Sequence, residues 1–421
     1  MKFPLPNGPG MKRWAVLLFL SILVFSFALS GLMGRIFAGW RVDVISPDTL
    51  RRWTKQVQSL RFVDYALALT AVWGISFALR RLYYAVLTVA ARDPQASAPA
   101  VQARRRRGPR VVAIGGGTGL PNLLSGLKTY TDRLTAVVTV ADDGGSSGRL
   151  RRDLNILPPG DLRNCLVALA ETPPLMGRLF QHRFTQDGAL SGHSFGNLFI
   201  AALTEVTGDF GEAVRASSKV LAVTGQVLPV TLEDVRLVAT LDDGRQIEGE
   251  SRISAAGGSI RKLVLDPPGV RPNPEVLQAI ARADAIVMGP GSLYTSILPN
   301  LLVESVAKAV ERSGALKIYI CNVMTQPGET DGLSVSGHLR ALKEQTSYSL
   351  VDYVVVNTEP LSEAIRMRYS ASGQHPVAVD RDSVEAMGVR LVKARVLETR
   401  DGLVRHNPGR LARAVIRLIV I

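Results

Sequence analysis

Five polar segments of this chain combine residue types that could hold an anion or a metal. They are Gly115–Gly119 with Thr118, Ala141–Gly148 with Asp142 and Asp143, Gly289–Tyr294 with Gly291 and Ser292, Asn322–Gly332, and Asn357. Glycine lets a backbone approach a phosphate closely, and a helix that starts there points free N–H groups and a positive dipole end at the ligand. Gly115, Gly116, Gly117, Thr118 and Gly119 meet that description. Position 120 is Leu where the dinucleotide fingerprint carries its third glycine, and no Gly-Lys-Ser/Thr follows. The run therefore predicts a phosphate near a helix start without naming a nucleotide. A tight strand-to-helix turn is the plainer alternative.

The other segments admit paired readings. Asp142 and Asp143 stand where a ribose-binding acid is often found. They could equally hold Mg²⁺, or simply form a turn before Gly144. Asp161 follows Pro158-Pro159-Gly160 and reads first as a helix cap, with Arg163 and Asn164 on the same turn able to reach a ligand. Residues 192–196 match a Gly-x-Ser-x-Gly nucleophile elbow, but that elbow needs a buried strand immediately before it, and Gln181–Gly188 is polar. His193, Ser194 and Asn197 fit better as a helix start offered to an anion, although His193 could be a structural hydrogen-bonder. Tyr294 could stack on a base or sit in the core. Asn322 could shape the pocket. Cys165 and Cys321 have no Cys or His at metal-ligand spacing.

The elements that must position these loops are legible as alternation. Apolar runs at 111–114, 134–140, 285–288, 317–321 and 353–356 read as strands. Helical spacing fills 120–130, 161–171, 195–206, 210–223, 274–283 and 301–312. Such a sequence predicts an α/β, Rossmann-like, mostly parallel sheet, whose ligands lie outside the carboxyl ends of the strands. A β-hairpin turning at Asp243-Gly244 marks a small β-rich insertion at about 225–270.

The N-terminal quarter differs. Residues 14–34 are 21 without a charge, long enough as a helix to cross roughly 30 Å. Residues 62–79, or 62–91, form a second apolar stretch. The expectation is one or two transmembrane helices in a membrane anchor spanning 1–91, then a basic linker at 92–109, then a domain at 110–421 in the cytoplasm. Charge is split accordingly. Residues 1–110 hold 17 Lys+Arg against 4 Asp+Glu, and the remainder holds 33 against 32. The nearly neutral domain lacks the basic face that nucleic acid requires, so no nucleic-acid partner is expected. The basic excess fits anionic lipid instead.

Taken together, the runs Ile114–Leu120, Val138–Leu150, Pro158–Asn164, Phe180–Phe184, Ser191–Leu198, Gly289–Ser296 and Cys321–Gly332 resemble the bacterial gluconeogenesis factor family. That family shares a superfamily with 2-phospho-L-lactate transferase. The resemblance implies a Rossmann-like fold that binds a UDP-sugar such as UDP-N-acetylglucosamine. It also implies a role in cell shape and envelope precursor supply on gluconeogenic carbon sources, as a regulator rather than a catalyst. The alternative it implies is an Mg²⁺-dependent phosphotransferase with Asp142, Asp143 and Asp161 as candidate catalytic groups. A homo-oligomer is compatible with the sequence, and an envelope-synthesis or regulatory protein partner is expected but not identified. Residues 1–109 are an addition to the usual family pattern.

Overall fold

A computed structural model describes residues 19–26, 69–80, 105–171, 174–400 and 402–420. The chain divides into two compact units, 1–97 with 420–421, and 98–419.

The second unit is built on a seven-stranded sheet. Its strands are β1 (Val111–Gly115), β2 (Leu134–Val138), β3 (Gln226–Pro229), β7 (Ala285–Met288), β8 (Leu316–Ile320), β9 (Tyr353–Asn357) and β10 (Arg390–Ala394). The order is β10-β9-β8-β7-β1-β2-β3, and every neighbouring pair is parallel. Each parallel step needs a crossover connection, which the intervening helical segments supply. β1 and β7 are buried at every position, as expected of central strands covered on both faces. β3 ends in Pro229, which lacks a ladder donor and suits an edge.

The chain leaves β1 toward β2 and β3 on one side, and returns through β7 to β10 on the other. The direction of winding therefore reverses between β1 and β7. That is where an open α/β sheet forms a crevice at its carboxyl edge.

The insertion is a three-stranded antiparallel sheet of β4 (Arg236–Leu241), β5 (Gln246–Glu248) and β6 (Ile260–Asp266), in the order β5-β4-β6. Gly244 adopts φ +87° in the turn between β4 and β5. Gly249, at φ +98°, ends β5 after three residues, and a helix follows at Glu250–Ala256. The arm of the expected hairpin that follows Asp243-Gly244 is thus a three-residue strand that gives way to helix. β3 lies inside the expected insertion boundary but pairs with β2 in the main sheet. A final hairpin, β11 (Leu397–Arg400) with β12 (Leu403–His406), precedes the helix Pro408–Val420.

The expected membrane helices are not found among the described residues. In the first unit the described helical residues are 19–26 and 69–80. Among the described residues no helix is long and apolar enough to cross a membrane. The remainder of the apolar stretches 14–34 and 62–91 lies outside the described residues, as does 92–104 of the basic run. At the described end of that run, Arg105 holds Asp132 at 2.6 Å and Glu171 at 2.5 Å, so its charge is spent on the domain.

Candidate functional site

The β1 turn is shaped by its glycines. Gly117 takes φ +61°, a conformation that L side chains rarely adopt. A Cβ on Gly119 would stand 2.3 Å from the Pro290 carbonyl oxygen. The turn after β1 and the turn after β7 are therefore in direct backbone contact, and only glycine allows it. Asn300 fixes the base of this junction by donating to the carbonyls of Gly115 at 3.1 Å and Ser296 at 2.8 Å. The next helix, Gly119–Leu127, buries Leu120, Leu123, Leu124 and Leu127.

Over this junction lies a cleft of about 440 Å³, within the range of small-molecule sites. Six of the residues expected at the site line it: Gly117, Thr118, Gly119, Gly291, Ser292 and Asn322. Ser292 caps the turn after β7, accepting from the Thr295 N–H at 3.3 Å, and its hydroxyl donates to Glu329. Ser254, on the insertion helix, donates to the same carboxylate at 2.8 Å. Gly115 and Gly116 are buried beneath the cleft.

Asp161 is not a cap. It lies in the first turn of the helix Gly160–Leu169 and accepts the Gly117 backbone N–H at 2.6 Å. Burial pushes its pKa up to about 6, against the pull of that N–H. Burial also raises Asp142, whose Oδ1 accepts from Gly144 N–H at 2.9 Å. Asp143 turns instead to the insertion, accepting from Ser251 N–H at 2.9 Å. The two neighbouring acids thus face different partners and do not converge on one ion. Among the described residues no group of three or more His, Cys, Asp or Glu could hold a metal. Asp142 and Asp143 therefore do not present a shared carboxylate pair for the Mg²⁺ that was one reading of them. Glu250, which lines the cleft, is raised well above its ordinary value by burial and by the carboxylates of Asp142, Asp161, Glu329 and Asp143.

Asn164, His193, Ser194 and Asn197 form a separate polar cluster beside the cleft. His193 Nδ1 and Ser146 Oγ are 3.0 Å apart, and Asn197 donates to the same hydroxyl at 3.1 Å. Ser194 caps the helix Phe195–Thr207 and receives a hydrogen bond from Arg163, which also donates to Asn164 at 2.7 Å. No strand precedes Ser194, and His193 is bonded to Ser146 rather than to it. The geometry is that of a braced helix start and not of a nucleophile elbow. Tyr294 is 5% exposed, stands among the buried residues below the turn, and does not line the cleft.

Among the lining residues that escaped the sequence reading are Glu250, Ser254, Tyr369, Gln374, Arg405 and His406. The β11–β12 hairpin brings the last two over the cleft, and the Tyr369 hydroxyl accepts the Val404 N–H at 2.7 Å, tying the hairpin to the helix Glu363–Ser370. Arg405 is the one Lys or Arg among the cleft's described lining residues. Burial pushes His406 down to about 4, so it is neutral at ordinary pH. One arginine among the basic residues of a short polar hairpin carries no local signal of such a role.

Comparison with known proteins agrees with this geometry. Residues 111–397 match the family model described as 2-phospho-L-lactate transferase CofD. The gluconeogenesis factor of Halalkalibacterium halodurans is 49% identical over 306 residues, covering 73% of this chain and 95% of that protein. That of Bacillus subtilis (strain 168) is 46% identical over 311 residues, covering 74% and 98%. A crystal structure of a Bacillus halodurans protein superposes with a TM-score of 0.72 at 48% identity, over 73% of this chain and 99% of that one. With the fold, the loop junction and these relatives in agreement, the chain belongs to the gluconeogenesis factor family within the CofD superfamily.

Proposed function

We propose that the cleft binds a UDP-sugar of the UDP-N-acetylglucosamine kind, and that the protein acts as a binding regulator of envelope precursor supply and cell shape during gluconeogenic growth. The observation that carries the ligand class is the position of the cleft. It sits at the winding reversal between β1 and β7, floored by the Gly117–Gly119 turn and faced by Arg405. A diphosphate would take the helix N-terminus and the guanidinium. Asn322, Gln326 and Gln374 offer neutral donors and acceptors to the uracil or the sugar. The divergence of Asp142 and Asp143 supports binding over metal-assisted transfer.

Calorimetry on the full chain with UDP-N-acetylglucosamine, UDP-glucose and GDP, with and without Mg²⁺, tests the ligand. Binding of the uridine ligands without Mg²⁺ is the expected result. No binding of any uridine nucleotide would overturn the reading, and metal-dependent turnover of a guanylated donor would favour the transferase. A deletion strain complemented with an Arg405→Ala chain tests the cellular role, with loss of shape on gluconeogenic carbon as the expected outcome.

A further inference from the structure

A second cavity, of about 420 Å³, lies where the insertion meets the helix Gly145–Leu154. It shares no lining residue with the cleft. Four arginines line it, Arg151, Arg152, Arg236 and Arg252, against three carboxylates. Two of the acids are already engaged by the wall itself, Asp234 by Arg151 at 2.5 Å and Glu248 by Arg236 at 2.8 Å. The third, Asp143, accepts from the Ser251 backbone N–H. Arg152 and Arg252 are exposed and form no ion pair among the described residues.

Arg151 supplies an independent sign. Its side chain is 10% exposed, and Nη2 is bonded to Asp234 and to the Val235 carbonyl at 2.7 Å. Its Nη1 is buried and has no partner. A buried guanidinium donor left unpaired is unfavourable, and the group that relieves it is an acceptor. Glycines at 148 and 249 keep the wall free of side chains. Their Cβ atoms would stand 1.8 Å and 2.1 Å from Asp143.

We infer that this cavity is a second ligand site, for a small phosphorylated metabolite. Guanidinium groups match phosphate oxygens with paired N–H donors. The volume exceeds what a single phosphate fills, so an organic body accompanies the phosphate. Arg152 and Arg252 meet it from the solvent side, and the mostly buried Arg151 adds its charge behind the wall. The inference does not rest on the UDP-sugar reading of the first cleft.

Inorganic pyrophosphate titrated calorimetrically into the full chain tests it. The wild type should bind saturably. Arg152→Glu/Arg252→Glu should weaken binding by about tenfold or more, since each charge-assisted contact is strong, and Arg152→Lys/Arg252→Lys should keep part of the affinity. Arg405→Glu, in the other cleft, should lose at most the binding that belongs to that cleft and keep the component that Arg152→Glu/Arg252→Glu removes. A wild type that does not bind, a double glutamate variant that binds normally, or a loss confined to Arg405→Glu would each overturn the inference. Circular dichroism of each variant, and a pyrophosphate-dependent rise in wild-type Tm, separate loss of binding from loss of fold. A chain that ignores UDP-sugars yet binds pyrophosphate through Arg152 and Arg252 fails the first proposal and keeps this one.

Discussion

The Asp161 carboxylate accepts the Gly117 N–H at 2.6 Å, so an acid from a neighbouring helix already occupies a donor of the turn proposed to hold phosphate. A ligand phosphate that takes this N–H must compete with a charge of its own sign. Protonation removes that competitor, and the pKa of about 6 places the event within reach of ordinary buffers.

The sign follows from that pKa. A carboxyl raised from 3.8 to about 6 in the fold contributes stability that is complete below pH 3.8 and lost as pH rises through 6. A shift of about 2 units corresponds to on the order of 3 kcal/mol. Urea midpoints should therefore fall between pH 4 and 7, and Asp161→Asn should remove that part of the slope. Ligand affinity should fall by up to about tenfold per pH unit above 6 in the wild type and stay flat in Asp161→Asn. A calorimetric pH series reads both chains, and parallel profiles would refute the competition.

Arg405→Ala should weaken binding of a diphosphate ligand by about 1.5–3 kcal/mol, the range for hydrogen bonds to charged groups. The residue is exposed and without an ion pair among the described residues, so Tm should hardly move. The remaining affinity should depend less on salt than in the wild type. Titrations at two ionic strengths check this, and an unchanged Kd would remove Arg405 from the site.

Tyr369→Phe deletes one hydroxyl, the acceptor for the Val404 N–H. The cost should be about 1 kcal/mol, felt mainly by the hairpin. Amide exchange at Val404 should speed up while the β1 amides stay protected, and ligand affinity should drop a few-fold because Arg405 rides on the same strand. Uniform loss of protection would show that the bond serves the whole fold.

Ser194→Ala tests the braced helix start. Removing the cap and the acceptor for Arg163 should cost about 1–2 kcal/mol in a denaturant titration. Ester hydrolysis should be at background for both chains. A hydrolytic activity that vanishes with Ser194→Ala would reinstate the nucleophile.

Much of the site was written locally. Apolar runs ending in glycine loops determined where strands stop, because a buried parallel strand needs continuous Val, Ile and Ala while its carboxyl end needs turn residues. Gly117 and Gly119 were readable as residues of a tight strand-to-helix turn for that reason. Two features were decided only in three dimensions. Asp142 and Asp143 are adjacent in sequence, yet one faces its own loop and the other the insertion, a divergence set by packing of the helix Glu250–Ala256. Arg405 lies 288 positions beyond Gly117 and reaches the cleft because the last hairpin folds back onto it and Tyr369 holds it there. Local sequence fixes where a chain turns, because turns depend on a few neighbouring torsions. Which distant side chain closes a cleft depends on the whole path between them, and only the tertiary structure contains that.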